Sequence, residues 1–236
     1  MISVVIPAYN EEKNIKNCLC SLADQQTDKK FRVIVVDNNS TDKTGQIAKS
    51  FSKILDITVI FEKQKGRGAA RKAGFDHASG EIIFSTDADT ILPADWIEKL
   101  YNGLVRSKGI AITGTCKIID CGAVKNKVFN VMQPFLTKAY KCVFGHYWLA
   151  GFSFAIYKNA YKESGGFDPK LVVQEDIDLS FKVSKIGKII LFDEVPVIFS
   201  GRRFKHGLIR GAIPYFSTFL KCFFLKKTDI SMSDPR

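Results

Sequence analysis

The stretch "IIFSTDADTILPADW", residues 82–96, runs an apolar segment into two aspartates one residue apart, Asp87 and Asp89. Carboxylates spaced i and i+2 at a strand end fall on one side of the pleat, so both can face a single ligand. Hard oxygen donors of this kind suit Mg²⁺ or Mn²⁺, which keeps several waters and takes remaining ligands from phosphate oxygens. An Asp-x-Asp also arises in ordinary solvated turns, so its surroundings decide its meaning.

Two further clusters carry chemistry. In "QEDIDLSFKVSKIG", Glu175 and Asp176 open a segment whose Leu179, Val183 and Ile186 share one face at helical spacing. The dipole of that helix favours an ionised Asp176, which suits a base, and it equally accommodates both acids as plain first-turn charges. In "SGRRFKHG", Arg202 and Arg203 are able to clamp a diphosphate and a neutral His206 to ligate a metal; a basic surface turn explains the same residues. His77 and His146 read as structural. Trp148, Phe152 and Phe154 offer rings to a sugar or lipid, although the core face of an aromatic strand accounts for them better. "GRGAARKAG" lacks the Gly-Lys-Ser ending of a phosphate loop.

The elements that must position these groups follow from periodicity. "ISVVIPAY", "FRVIVVD", "ITVIFE" and "EIIFSTDAD" are uniformly apolar strands, and helices fill the intervals. The second helix is expected to be capped by Ser40 or Thr41, with Asp42 in its first turn. Apolar strands alternating with helices imply a mostly parallel sheet covered on both faces, whose ligands gather at the carboxyl ends of the strands. The polar ends "PAYNEE", "DNNSTD", "EKQKGRG" and "TDAD" should therefore converge on one rim. Beyond them, "IAITGTCKIID", "GHYWLAGFSFAIYK" and "KIILFDEVPVIFS" read as strands continuing the same sheet.

Composition narrows the class. The chain has 236 residues, 46% hydrophobic and 25% charged, with no repeat or low-complexity tract, which fits one large domain with an appendage. Its 35 basic against 24 acidic residues give +11 and favour anionic partners. Nucleic acid is not expected among them, because the basic residues are dispersed and no recognition signature is present. The 6 cysteines match no zinc or disulfide spacing, and no signal peptide precedes the first strand. Reduced, mostly buried thiols in the cytoplasm are expected.

Taken in order and spacing, "VVIPAYNEE", "VVDNNSTDKT", "GRGAARKAG…ASGEIIFSTDADT" and "GGFD…QEDIDLSFKVSKIGK" resemble the family 2 glycosyltransferases of the GT-A fold, over about residues 1–200. The resemblance implies a nucleotide-diphospho-sugar donor, Mg²⁺ or Mn²⁺, and inversion at the anomeric carbon. It places Pro7, Ala8, Tyr9 and Glu11 around the nucleoside, Asp37 and Arg71 near the base, and Asp87 by the ribose or metal. Asp89 falls on the metal, and Asp176 on the catalytic base with Glu175 beside it. The chain departs from the family's Ala-Arg-Asn-x-Gly at Lys72. A single base without a nucleophilic partner agrees with inversion.

The implied domain covers 1–205, with 1–110 on the nucleotide-sugar side and 111–205 on the acceptor side, followed by an amphipathic basic tail over 206–236. "GLIRGAIPYFSTFLKCFFLKK" is too charged and short for a confident spanning helix and suits the interface of an anionic membrane, so a peripheral position on the inner face of the cell membrane is expected. A helix packed on the domain or in a dimer is the alternative. The acceptor is a glycan or lipid-linked molecule offering a hydroxyl or phosphate. Competing functions are a sugar-phosphate nucleotidyltransferase, which should carry a glycine-rich loop where this chain has "PAYNEE", and a non-catalytic sugar-nucleotide module, which should lack Asp89 or Asp176.

Overall fold

The computed structural model describes residues 1–225, excepting the side chains of 215, 216 and 219–225. The expectation for 226–236 lies outside the described residues.

Four strands build the first half: β1 (Ile2–Ala8), β2 (Phe31–Asp37), β3 (Ile57–Phe61) and β4 (Ile82–Ser85). All pair in parallel, with β1 between β2 and β4. Three helices join them: α1 (Ile15–Ala23), α2 (Thr44–Ser50) and α3 (Arg67–His77). Val4 and Val5, like Val33 to Val36, are fully buried, as strands covered on both faces require.

Pro7 shows how this strand is cut to length. Val5 accepts a hydrogen bond from the Thr86 amide on the β4 side, and Ala8 accepts one from Asn38 on the β2 side. Residues alternate, so Pro7 points its missing N–H toward β4, whose pairing with β1 has already ended at Val5 and Ser85. The chain loses no ladder bond there and leaves the sheet at the rim.

The second half adds β5 (Thr90–Ile91), α4 (Trp96–Arg106), β6 (Ala111–Lys117), α5 (Ala123–Phe144), β7 (Phe154–Tyr157), α6 (Lys158–Glu163), α7 (Glu175–Ser184), β8 (Ile189–Phe199) and α8 (Leu208–Leu225). The full order is β3-β2-β1-β4-β7-β6-β8-β5. β7 runs antiparallel to both β4 and β6, while β6 and β8 are parallel. The short β5 closes the far edge against β8.

Several expectations change. The aromatic stretch 146–157 forms a strand only from Phe154; residues 146–153 form a loop into the site. α2 begins at Thr44 without a side-chain cap, and Asp42 instead accepts from the Thr44 amide at 2.9 Å just ahead of it. Ile186 lies beyond α7 and is exposed, whereas Leu179 and Val183 are buried. α4 and α5 are absent from the elements read above. For α4 the signal existed, since Trp96, Ile97, Leu100 and Leu104 recur at helical spacing and are buried. For α5 apolar residues also recur at helical spacing, at Val124, Val128, Val131 and Phe135, yet Thr137 is its single buried residue. That helix is held by polar contacts: Asn130 bonds both the amide and carbonyl of Ile118, and Gln133 accepts from the Cys116 amide. The thiols also differ: of the five described, Cys18 and Cys116 are buried, Cys20 and Cys121 half-buried, and Cys142 exposed.

Candidate active site

The carboxyl ends of β1, β2 and β4 meet the loop before β7, the start of α7 and the turn after β8 around a cavity of about 1240 Å³. Pro7, Ala8, Tyr9, Glu11, Arg71, Asp87, Asp89, Glu175, Asp176, Arg202 and Arg203 all line it. Asp37 and His206 do not. Asp37 caps the turn after β2, accepting from the Ser40 amide at 3.0 Å, and its carboxylate packs so close to Gly45 that a Cβ there would sit 2.6 Å from Oδ2. His206 is exposed, and among the described residues no group of three or more His, Cys, Asp or Glu side chains is arranged for a metal.

The loops after β1 and β2 are stitched together before they reach the cavity. Asn10 and Asn39 both adopt left-handed backbone, a conformation asparagine tolerates better than most residues. The Asn10 amide donates to Ser40, and its side chain accepts from the Thr41 amide. Asn38 braces the next loop by donating to the Glu62 and Gln64 carbonyls and accepting from the Gly66 amide.

Arg71 is the deepest charged group, only 2% exposed. Its Nη2 donates to Asp87 Oδ1 at 2.6 Å and its Nε to Glu175 Oε1 at 2.9 Å. Nη1 donates to the Ser85 hydroxyl and to the Gly151 carbonyl at 3.2 Å. One guanidinium thereby ties α3, the end of β4, the loop before β7 and α7. Gly151 is required by this approach, since a Cβ would lie 2.2 Å from Arg71 Nη2. "LAGFSF" gave no pattern that would single that glycine out.

Asp87 and Asp89 sit beyond the last paired residue of β4, in the turn toward β5. The pleat argument therefore does not apply, and the two carboxylates are separated by their partners. Asp89 Oδ2 lies 2.9 Å from Arg202, which also grips Glu11 with two nitrogens at 2.7 and 3.1 Å. Burial, reinforced by Asp87 and Glu11 and opposed by Arg202, pushes the Asp89 pKa up to about 7. A buried carboxylate that resists ionisation until it gains positive charge is a cation site in its chemistry. Asp89 and Asp87 together are hard oxygen donors with positions left over, so they fit a divalent ion completed by phosphate oxygens and water.

Across the cavity, Gln174 takes left-handed backbone with φ 63° and starts α7, which sends Glu175 inward to Arg71 and Asp176 to the cavity. Asp176 Oδ2 accepts from the Gly151 amide at 3.3 Å. Burial and then the adjacent Glu175 carboxylate push the Asp176 pKa up to about 7, against Arg71 and Arg67. The helix dipole favours ionisation, as expected, and burial outweighs it.

The remaining candidates divide cleanly. Trp148 and Phe152 line the cavity, edge to face with centroids 6.4 Å apart, while Phe154 is core and stacks on Phe75. Lys72 pairs with Asp76 on the exposed side of α3. His146 packs on Tyr140 and Phe181. Arg67, from the polar end "EKQKGRG", lines the cavity with the rim it was expected to join, and the α5 residues Val128, Met132, Leu136 and Tyr140 line it without any sign of that place in the sequence.

The profile of the family described as glycosyl transferase family 2 matches residues 3–165, more than half of the chain, and the protein belongs to that family. It is 30% identical over 209 residues to the Bacillus subtilis protein named probable glycosyltransferase YdaM, a match covering 81% of this chain and 48% of that one. The first curated relatives are covered over only 15–48% of their own length. Among solved structures, Staphylococcus aureus TarS with UDP-GlcNAc is similar with a TM-score of 0.69 and 22% identity, covering 84% of this chain and 58% of that one. The mannosyltransferase PcManGT of Pyrobaculum calidifontis, with GDP-Man and Mn²⁺, gives 0.68 and 22% over 99% and 66%. The architecture is thus that of the GT-A glycosyltransferases.

Two outcomes follow from the buried charges. Arg71→Met leaves the buried Glu175 and the half-buried Asp87 without their cation, and stability in urea titration should fall by about 3–5 kcal/mol; an unchanged midpoint would remove Arg71 from its central place. Asp89 has a folded pKa raised to about 7 from 3.8. Its protonation therefore favours the fold, and its contribution declines as pH rises between those values. Thermal melts without metal should show Asp89→Asn gaining on wild type from pH 4 to pH 8; parallel curves would contradict the shift.

Proposed function

We propose that the protein is an inverting glycosyltransferase that moves a sugar from a nucleoside-diphosphate donor to a hydroxyl or phosphate acceptor, with Asp176 as base. The observation that carries this reading is that Asp176 lines the same cavity as Asp87 and Asp89, with a pKa raised to about 7.

The first half, residues 1–110, takes the donor. Tyr9, steadied by Lys65 at 5.4 Å from its ring centre, and Pro7 and Ala8 offer a wall to the nucleoside. Asp37 stands outside the cavity wall, where the edge of a base emerging past Tyr9 is its partner. Arg202 and Arg203 turn toward the diphosphate. Asp89 and Asp87 would hold a divalent ion, which when bound supplies positive charge to the leaving diphosphate, the site of developing charge in the transition state. The GDP-Man and Mn²⁺ of PcManGT support that donor and ion class.

Residues 111–205 contribute Asp176 and the acceptor side. Asp176 takes the proton of an acceptor hydroxyl, the hydroxyl oxygen bonds to the anomeric carbon, and the nucleoside diphosphate departs from the opposite face with the electron pair of the broken bond. Glu175 stays salt-bridged to Arg71 and so orients α7. A lipid-linked acceptor and a peripheral membrane position of the tail from 206 belong to the same reading. No helix among the described residues is long and apolar enough to cross a membrane.

Donor consumption measured with added acceptor tests this assignment. Asp176→Asn keeps the shape and loses the base, and turnover should fall about 10²–10⁴-fold. In wild type, kcat/KM should rise with pH, pass half its maximum near pH 7 and level off about one unit above, because the base acts only when ionised. Wild-type turnover by Asp176→Asn, or a flat profile from pH 5 to 8, would overturn the role of Asp176.

A further inference from the structure

α5 is unusual for a helix of 22 residues in burying so little. Val124, Val131, Phe135 and Val143 are 78%, 69%, 69% and 74% exposed. Val124, Val128, Val131 and Phe135 recur at spacings of four, three and four, so they form one continuous stripe. The stripe does not stop at the surface: Val128, Met132 and Leu136 are both exposed and part of the cavity wall. α8 extends it, with Ile209 and Ile213 also exposed and lining the same cavity.

α5 is joined to the turn just ahead of α8. Phe129 packs on Phe204 with ring centres 5.0 Å apart, and Lys125 Nζ donates to the Lys205 carbonyl at 2.7 Å. The charge on this surface has a single sign. α5 carries four lysines and no acidic residue, and residues 201–225 carry three arginines and two lysines and no acidic residue. From other segments, Asp193 of β8 reaches Lys138 at 3.4 Å, and Glu11 and Asp89 hold Arg202 on the cavity side. An apolar stripe bordered by the basic side chains of α5, Lys125, Lys127, Lys138 and Lys141, matches an anionic lipid surface, where the chains enter the acyl boundary and the lysines meet the headgroups. A protein partner or a second copy of this chain would call for acidic groups facing these lysines, and for a second copy this surface offers Asp193, already paired with Lys138, against the four lysines of α5.

We propose that the outer face of α5, with the start of α8, docks on an anionic bilayer and holds the mouth of the cavity against the headgroup layer. The docking stands on exposure and charge. Its consequence, that the acceptor enters from the bilayer along Val128, Met132 and Leu136, rests on the transferase reading above.

The test uses the full chain and vesicles of phosphatidylglycerol and phosphatidylcholine in equal parts, against phosphatidylcholine alone. Wild type should cosediment with the anionic vesicles, weakly with the zwitterionic ones, and lose binding as salt rises from about 0.1 M to about 1 M. Val131 and Phe135 lie outside the cavity wall, so V131E/F135E should reduce anionic-vesicle binding at least about tenfold while hydrolysis of the nucleotide-sugar donor in detergent-free buffer stays at the wild-type rate. Wild-type vesicle binding by this variant overturns the proposal. So does a wild-type dimer in sedimentation equilibrium that the variant converts to monomer, which would assign the face to a second copy. Absence of donor turnover in wild type would count against the transferase reading alone, since the vesicle measurement needs no catalysis.

Discussion

The site is organised around a guanidinium taken out of water. Arg71 is worth burying only because Asp87, Glu175, Ser85 and the Gly151 carbonyl meet its donors on all sides. A buried pair of this kind adds little net stability over an apolar core, but breaking it is costly. The constraint is therefore geometric. α3, β4, the loop before β7 and α7 have to converge at fixed distances, and each brings one member of the site with it.

Around that centre the rim collects five carboxylates, on Glu11, Asp87, Asp89, Glu175 and Asp176, with Arg67, Arg71 and Arg202 among them. Glu175 and Asp87 are satisfied by Arg71 and Glu11 by Arg202. Asp89 shares Arg202 with Glu11, and Asp176 accepts from two backbone amides, Gly151 at 3.3 Å and Ile177 at 2.9 Å, with no salt bridge of its own among the described residues, and these two carry the raised pKa values. The imbalance has a chemical use at each end. Asp89 is left needing positive charge where a diphosphate would lie, and Asp176 is left able to accept a proton at neutral pH.

Much of this was legible in the sequence because strands end in polar clusters, and parallel strands bring their ends to one rim. "PAYNEE", "TDAD" and "QED" do line one cavity. What stayed hidden depends on contacts between distant segments. Nothing local marks Gly151 as the residue whose missing side chain admits Arg71, or Asn38 as the brace of the loop between β3 and α3. Nothing local separates Phe152, on the cavity, from Phe154, in the core. α5 escaped for a different reason: Val124, Val128, Val131 and Phe135 do recur at helical spacing, but the face they make is exposed rather than packed on the core, and Pro134 sits inside the run. The pleat argument for Asp87 and Asp89 reached the right rim by the wrong route, since a turn rather than a strand presents them.

The central claim is a single displacement with the base on one side of the sugar and the diphosphate on the other. The anomeric configuration of the first product formed, read by proton NMR against the donor, tests it most directly. One base, with no second carboxylate placed as a nucleophile, predicts a product of opposite configuration to the donor. A product that retains the donor's configuration would contradict the account.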